Sequence, residues 1–318
     1  MFRRFTLFFV VLISTNLAHA APLVIGYSDW PGWVAWEVGI EKGWFEEIGV
    51  DVRFEWFDYV ASMDAYAAGQ LDAVCMTNGD ALVTGATGRR SVMAIINDFS
   101  DGNDMIVARP GITDISQLAG RKVGVEVGFV GHLLLLRALE KSGLTEDDIE
   151  LVNVRTNETP MVLASGEVDA IVAWQPSSSQ SLQMSPGATA IYSSANDPGL
   201  IYDTLAIAPE SLNQYPEQWG KVMKVWYRIV DFISDPATNA AAVEIMAARV
   251  GVAPEKYADL MRGTRFLAKA EALDRYSATE DLGSLSGSTA IADSFNLKYK
   301  VYPATQSAAD YISDILYK

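Results

Sequence analysis

The chain has 318 residues, half of them apolar, with 40 Asp and Glu against 24 Lys and Arg, giving a net charge of −16 at pH 7. Such an acidic chain lacks the basic side chains that hold nucleic acid or anionic membrane surfaces, so neither is expected as a partner. A single cysteine, Cys75, excludes an intramolecular disulfide, and two histidines, His19 and His132, are too few for a Cys/His zinc cluster.

Residues 1–20 have the layout of an export signal. Arg3 and Arg4 precede an apolar run from Phe5 to Ile13, and Ala18-His19-Ala20 forms a small-residue cleavage site. The run is too short to span a bilayer. Cleavage is expected near Ala20/Ala21, without a lipid anchor, leaving a periplasmic protein in which His132 is the one histidine. Its removal takes away two arginines and no acids, so the remainder is more acidic still.

The rest of the chain repeats one plan. Ala68-Gly69-Gln70-Leu71-Asp72-Ala73-Val74 is echoed by Ser165-Gly166-Glu167-Val168-Asp169-Ala170-Ile171, and Ile25-Gly26-Tyr27 by Val123-Gly124-Val125. In each copy a helix ends at a glycine and runs directly into an apolar strand. Strands are expected near 22–27, 50–56 and 72–76, then near 121–126, 149–154 and 168–173. Helices are expected near 34–43, 59–68, 131–142 and 158–165. This alternation predicts an α/β protein of two parallel-sheet lobes, 21–106 plus 206–318 and 107–205. Strands near 104–108 and 204–208 form a two-stranded hinge. Beyond 212, Trp219, Val222, Val225, Trp226, Ile229 and Phe232 mark one buried helical face.

Ligands of such sheets sit beyond the carboxyl ends of the strands, which directs attention to the loops there. Trp30 and Trp33 follow the first strand, while Trp36 fits the core. Asn78 and Asp80 follow the third, with Asp80 equally suited to capping the next helix. Asp104 closes the run Asp98-Phe99-Ser100-Asp101-Gly102-Asn103-Asp104, which also reads as a plain turn. In the second half, Glu126 and His132 follow its first strand, Trp174 follows its third, and Asp203 lies at the return crossing. His132 suits a structural hydrogen bond as well as a ligand contact. These aromatics and carboxylates with few basic neighbours predict a small cation as ligand, held by charge-assisted hydrogen bonds and ring faces. Without the cation, mutual repulsion would raise the acids' pKa values.

Gly39-Ile40-Glu41-Lys42-Gly43-Trp44-Phe45, the segment from Ala68-Gly69 to Asp72, and the stretch from Asp114 to Lys122 resemble motifs of the nitrate/taurine/alkanesulfonate class of periplasmic binding proteins. Within that class, several stretches resemble the branch associated with urea carboxylase gene clusters. These are Gly32-Trp33 with Trp36, Thr77-Asn78 with Asp80, Gly102-Asn103-Asp104, Glu126, His132-Leu133-Leu134, Trp174 with Pro176, and Asp203. The resemblance implies a bilobal type II binding-protein fold and a monomeric, non-catalytic receptor without cofactor. Such a receptor passes a guanidine-like or urea-like solute to the permease of an ABC importer. The class's anion binders use hydroxyls, amides and basic groups in these loops, from which this chain departs. Other readings are an anion binder for taurine, sulfonate or nitrate, a periplasmic sensor subunit, and a thiamine-pyrimidine-synthase-like enzyme. The last would need a cofactor-bearing lysine and histidines.

Overall fold

The structure, a computed structural model, describes residues 21–318; the expected export signal lies outside them. The first lobe opens with β1 (Leu23–Tyr27), β2 (Val52–Trp56), β3 (Ala73–Thr77) and β4 (Val92–Ser100). The chain then crosses to a second lobe containing β5 (Met105–Ala108), β6 (Lys122–Val125), β7 (Glu150–Asn153), β8 (Ala170–Ala173) and β9 (Thr189–Ser193). It returns to the first sheet through β10 (Tyr202–Ile207) and β11 (Thr264–Phe266).

The strand orders are β11-β4-β10-β3-β1-β2 and β7-β6-β8-β5-β9. Only β2-β1-β3 and β7-β6-β8 are parallel; β10 and β5 insert antiparallel beside β3 and β8. The expected parallel sheets are therefore mixed. Each inserted strand arrives from the other lobe without the helical crossover that parallel pairing requires. β4 and β9, absent from the sequence-based elements, flank these inserted strands.

The sequence echo has a structural cause. Gly69 and Gly166 take the left-handed conformation (φ 76° and 83°) in the turn from helix to strand. Asp72 and Asp169 then clamp the neighbouring strand of their own sheet. Asp72 Oδ2 accepts from Val24 N–H at 2.9 Å, and Asp169 Oδ2 from Lys122 N–H at 3.1 Å. Each copy thus pins its first strand with the same carboxylate.

The crossings run from Ser100 to Met105 and from Ser193 to Tyr202. Sheet membership changes there, a few residues from the expected edges at 106/107 and 205/206. The joints are turns rather than strands. Ser100 and Ser194 hydroxyls lie 2.7 Å apart, Gly102 N–H donates to Ser194 Oγ at 2.7 Å, and Ser194 N–H to Asp104 O at 2.9 Å.

The helix Pro216–Ser234 covers the first lobe through its periodic face, with Trp226 against the fully buried Trp36 at 4.5 Å between ring centroids. The helix Leu285–Lys298 lies along the helix Asn78–Thr87 and also reaches the helix Val130–Lys141 of the second lobe, where Lys298 Nζ donates to Glu140 at 2.9 Å. None of the described helices is long and apolar enough to cross a membrane.

Candidate functional site

Both lobes meet at the carboxyl ends of their parallel strands, with the cleft closed. β10 runs antiparallel to β3, so its second residue, Asp203, sits beside Thr77, the last residue of β3. On its other side Asp203 opposes Asp98 near the end of β4. Opposed residues of an antiparallel pair share one face, with Cβ atoms roughly 5 Å apart. Asp104, in the first crossing, completes a group of three carboxylates that are 0–3% exposed.

Each of the three keeps one oxygen, Oδ2, without a hydrogen-bond partner. Trp30 Nε1 donates to Asp98 Oδ1 at 3.1 Å, and Ser100 interacts with the Asp104 carboxyl. Burial pushes the Asp104 carboxyl up to about 7. Burial also raises Asp98 and Asp203, the latter further through the charges of Asp98 and Asp104. Buried carboxylates without a counter-charge favour the neutral form for this reason.

An aromatic wall stands over the carboxylates. Trp33 stacks on Tyr59 (5.2 Å, 26°), and Tyr59 meets Trp174 of the second lobe edge-on (5.4 Å, 79°). The Tyr59 hydroxyl donates to Asp80 Oδ2 at 2.6 Å and accepts from Thr77 N–H at 3.1 Å. Both capacities are thereby used, and only the ring is offered to the cleft. Trp33 Nε1 is buried without a partner. These groups enclose an inner cavity of 10 Å³, close to the minimum for one water. Among the described residues no Lys, Arg or His lines it.

Tyr59 and Trp174 also line an outer chamber of about 220 Å³ with Asp29, Asp58, Glu126, Arg155 and Thr156. Burial, with a smaller contribution from Asp58, pushes the Asp29 carboxyl up to about 6. Burial raises Glu126 as well, although Thr156 Oγ1 donates to it at 3.2 Å. Arg155 is solvent-exposed at the rim.

Of the residues singled out from sequence, Trp30, Trp33, Asp104, Trp174 and Asp203 line the inner cavity together. Asp80 stands behind Tyr59, its carboxyl raised to about 7 by burial, while Thr77 supplies the helix cap by accepting from Asp80 N–H at 3.1 Å. Glu126 lines the outer chamber.

Asn78 and His132 are not brought to the cavity. Asn78 donates to Ser288 Oγ at 2.9 Å and accepts from Tyr202 N–H at 3.0 Å, so both ends of its amide tie helices and strand together. His132 lies two residues past Val130, whose side of the helix faces the cavity, and a step of two turns a side chain about 200° away. Its Nδ1 accepts from Gly128 N–H at 3.2 Å and its Nε2 faces Glu146 at 3.4 Å. Burial depresses its pKa to about 4, which keeps the ring neutral.

Sequence reasoning missed Asp98, Tyr59 and Thr77. The apolar run Val92–Ile96 before Asn97-Asp98 was the available signal that Asp98 ends a strand instead of starting a turn. Tyr59 opens the helix after β2, the place in the repeat corresponding to the ligand loops after β1 and β3.

This architecture is the fold of two-lobed periplasmic binding proteins. It matches the periplasmic aliphatic sulphonate binding protein SsuA from Escherichia coli with a TM-score of 0.76 at 16% identity, covering 94% of this chain and 100% of that one. It matches the periplasmic nitrate-binding protein NrtA from Synechocystis PCC 6803 with a TM-score of 0.74 at 12% identity, over 93% and 87% of the two chains. The desulfurization enzyme DSZB shares the fold at a TM-score of 0.64 and 17% identity, over 93% and 98%. The family described as NMT1/THI5 like matches residues 31–238, and the chain belongs to that family. It is also 32% identical over 168 residues to a protein of Brucella abortus named as a binding protein, covering 52% of this chain and 51% of the relative. The chain thus spans about half the length of the curated relatives it matches.

Proposed function

We propose that this protein is a periplasmic solute-binding protein that closes its two lobes on a small nitrogenous solute, guanidine-like or urea-like and favoured as a cation, and delivers it to the permease of an ABC importer. The observation that carries this reading is the buried trio Asp98, Asp104 and Asp203, each with one unpartnered oxygen, of which Asp104 and Asp203 line a cavity that has no basic side chain among the described residues lining it. A buried charge is costly unless paired, and a cation with several N–H donors would satisfy the free oxygens of Asp104 and Asp203. The faces of Trp33, Tyr59 and Trp174 suit a flat delocalised cation.

The reading is non-catalytic. The one histidine outside the expected signal accepts from Gly128 N–H and turns its Nε2 toward Glu146, and Cys75 is fully buried in β3. The residues expected to bind are Trp30, Trp33, Tyr59, Asp98, Asp104, Trp174 and Asp203, with Asp80 positioning Tyr59 and Glu126 contributing at the outer chamber.

A second reading, an anion such as a sulfonate or nitrate, is favoured by the names of the similar structures SsuA and NrtA. It would draw on Arg155, the one basic side chain lining the outer chamber among the described residues, and on neutral donors such as Thr156, Asn157 and the unpartnered Trp33 Nε1. A thermal-shift panel of guanidinium, urea, choline, taurine and nitrate on the chain from Ala21 separates the two. The cation reading expects stabilisation by guanidinium, lost in Asp104→Asn; stabilisation by taurine or nitrate alone contradicts it.

A further inference from the structure

We infer that Asp98 and Asp203 hold one proton between them in the ligand-free protein and that an entering cation expels it, so that each cation bound releases a proton to solvent. The inference rests on the cation reading above and adds to it a coupling to protons. It starts from placement. Asp98 and Asp203 are register partners across β4 and β10, so their carboxyls project from the same face of the sheet at neighbouring positions. They are 0% and 2% exposed, and each has an unpartnered oxygen. Asp203 lines the inner cavity together with Asp104.

The groups facing the pair come from several elements. Asp104 approaches from the first crossing, Asp80 from the helix Asn78–Thr87, Cys75 from β3, and Tyr257 from the helix Pro254–Leu260. Trp30 donates to Asp98 from the loop after β1. On β11, Arg265 pairs with Phe99 and its side chain is exposed to solvent. Among the described residues, the ionisable groups named here that face the pair are acids, a thiol or a phenol. Ionising both carboxyls beside Asp104 would place like charges side by side in a dry site, and one proton removes the worst of that repulsion. Burial raises both carboxyls, Asp203 further through the charges of Asp98 and Asp104 and Asp98 through that of Asp104. The hydrogen bond with Asp203 favours the charged form of Asp98, as when one proton is shared.

The exchange balances. A cation of charge +1 enters, one O–H bond of the pair breaks, its electron pair stays on the carboxylate, and the proton passes to water. The charge of the site is unchanged. A neutral ligand such as urea gives no such exchange, so the device favours solutes that keep their charge inside the cavity, as guanidinium does.

Calorimetric titration of the chain from Ala21 with millimolar guanidinium chloride, at pH 6, 7, 8 and 9 and in buffers of different ionisation enthalpy, tests this. The expected result is release of close to one proton per cation at pH 6–7, with affinity rising by up to about tenfold per pH unit and levelling at alkaline pH. An infrared carbonyl band of a protonated carboxyl in the ligand-free protein should disappear on adding guanidinium. The band should also be absent from Asp98→Asn. Binding with no proton release, pH-independent affinity and no such band overturns the coupling and leaves the cation reading standing. Failure of guanidinium to bind at any of these pH values overturns both.

Discussion

The Asp98 carboxylate occupies the space that a side chain on residue 32 would need: a Cβ built on Gly32 would overlap Asp98 Oδ2 and crowd Trp30 Nε1. The glycine is required by the approach of the carboxylate, and the loop after β1 and the end of β4 are thereby fitted to each other. Gly32→Ala is expected to push Asp98 off its bond to Trp30. The stability loss should be about 1–3 kcal/mol, as for overpacking elsewhere, and cation affinity should fall at least tenfold. Thermal unfolding and ligand titration check this; unchanged affinity would show that Asp98 does not shape the site.

Tyr59 offers a separable test, because its hydroxyl and its ring do different things. Tyr59→Phe leaves the stack on Trp33 but strips Asp80 Oδ2 and Thr77 N–H of a partner. Buried unsatisfied groups of this kind cost about 1–3 kcal/mol. The variant should therefore unfold earlier while binding is only mildly weakened. Tyr59→Ala should lose both. Equal loss of affinity in the two variants would place the hydroxyl in direct contact with the ligand.

Trp174 is the second lobe's contribution to the wall between the inner and outer chambers. Trp174→Ala removes a ring that meets Tyr59 across the cleft. With a cation–π contact worth about 0.5–2 kcal/mol, affinity should fall by about two- to thirtyfold. Leu or Phe at this position should distinguish ring chemistry from bulk, Phe recovering more of the affinity than Leu.

The acids and His132 pull stability in opposite directions with pH. Asp80 and Asp104 are raised to about 7, and Asp98 and Asp203 are raised too. Such groups hold protons that the unfolded chain has already lost. Their contribution is present below the ordinary carboxylate pKa near 4 and disappears as pH rises through the folded values. His132, depressed to about 4, contributes stability that is full above 6.5 and is lost as pH falls toward 4. With Asp29, raised to about 6, and Glu126, also raised, these acids outweigh the one histidine, so the Tm of the ligand-free protein should fall between pH 5 and pH 8. Asp104→Asn should flatten that fall, and His132→Gln should steepen it by removing the opposing group. A Tm that rises across this window would contradict the buried, raised acids.

Much of the fold was legible because the repeat recurs with the same chemistry. Gly69 and Gly166 end helices, Asp72 and Asp169 clamp the strands beside them, and both signals are local. The inserted strands were located near their positions, but their antiparallel direction depends on where the chain comes from, which local periodicity does not encode. Five residues of the inner cavity were legible as aromatics and acids at strand ends. Asp98 was hidden because a polar Asn97-Asp98 at the end of an apolar strand looks like the start of a turn. Asn78 and His132 misled for the opposite reason. Their positions suit a ligand, but the partners that claim them, Ser288 and Tyr202 for one and Gly128 and Glu146 for the other, come mostly from distant chain or helix phase.

The central claim is that the cavity between the lobes selects a cation. Its most direct test is a paired calorimetric titration of the chain from Ala21 at pH 8, with guanidinium chloride and with taurine, against wild type and Asp203→Asn. The account predicts one saturable guanidinium site per chain that is lost in Asp203→Asn, and no response to taurine. A saturable taurine site that survives Asp203→Asn, with no heat from guanidinium, would contradict it.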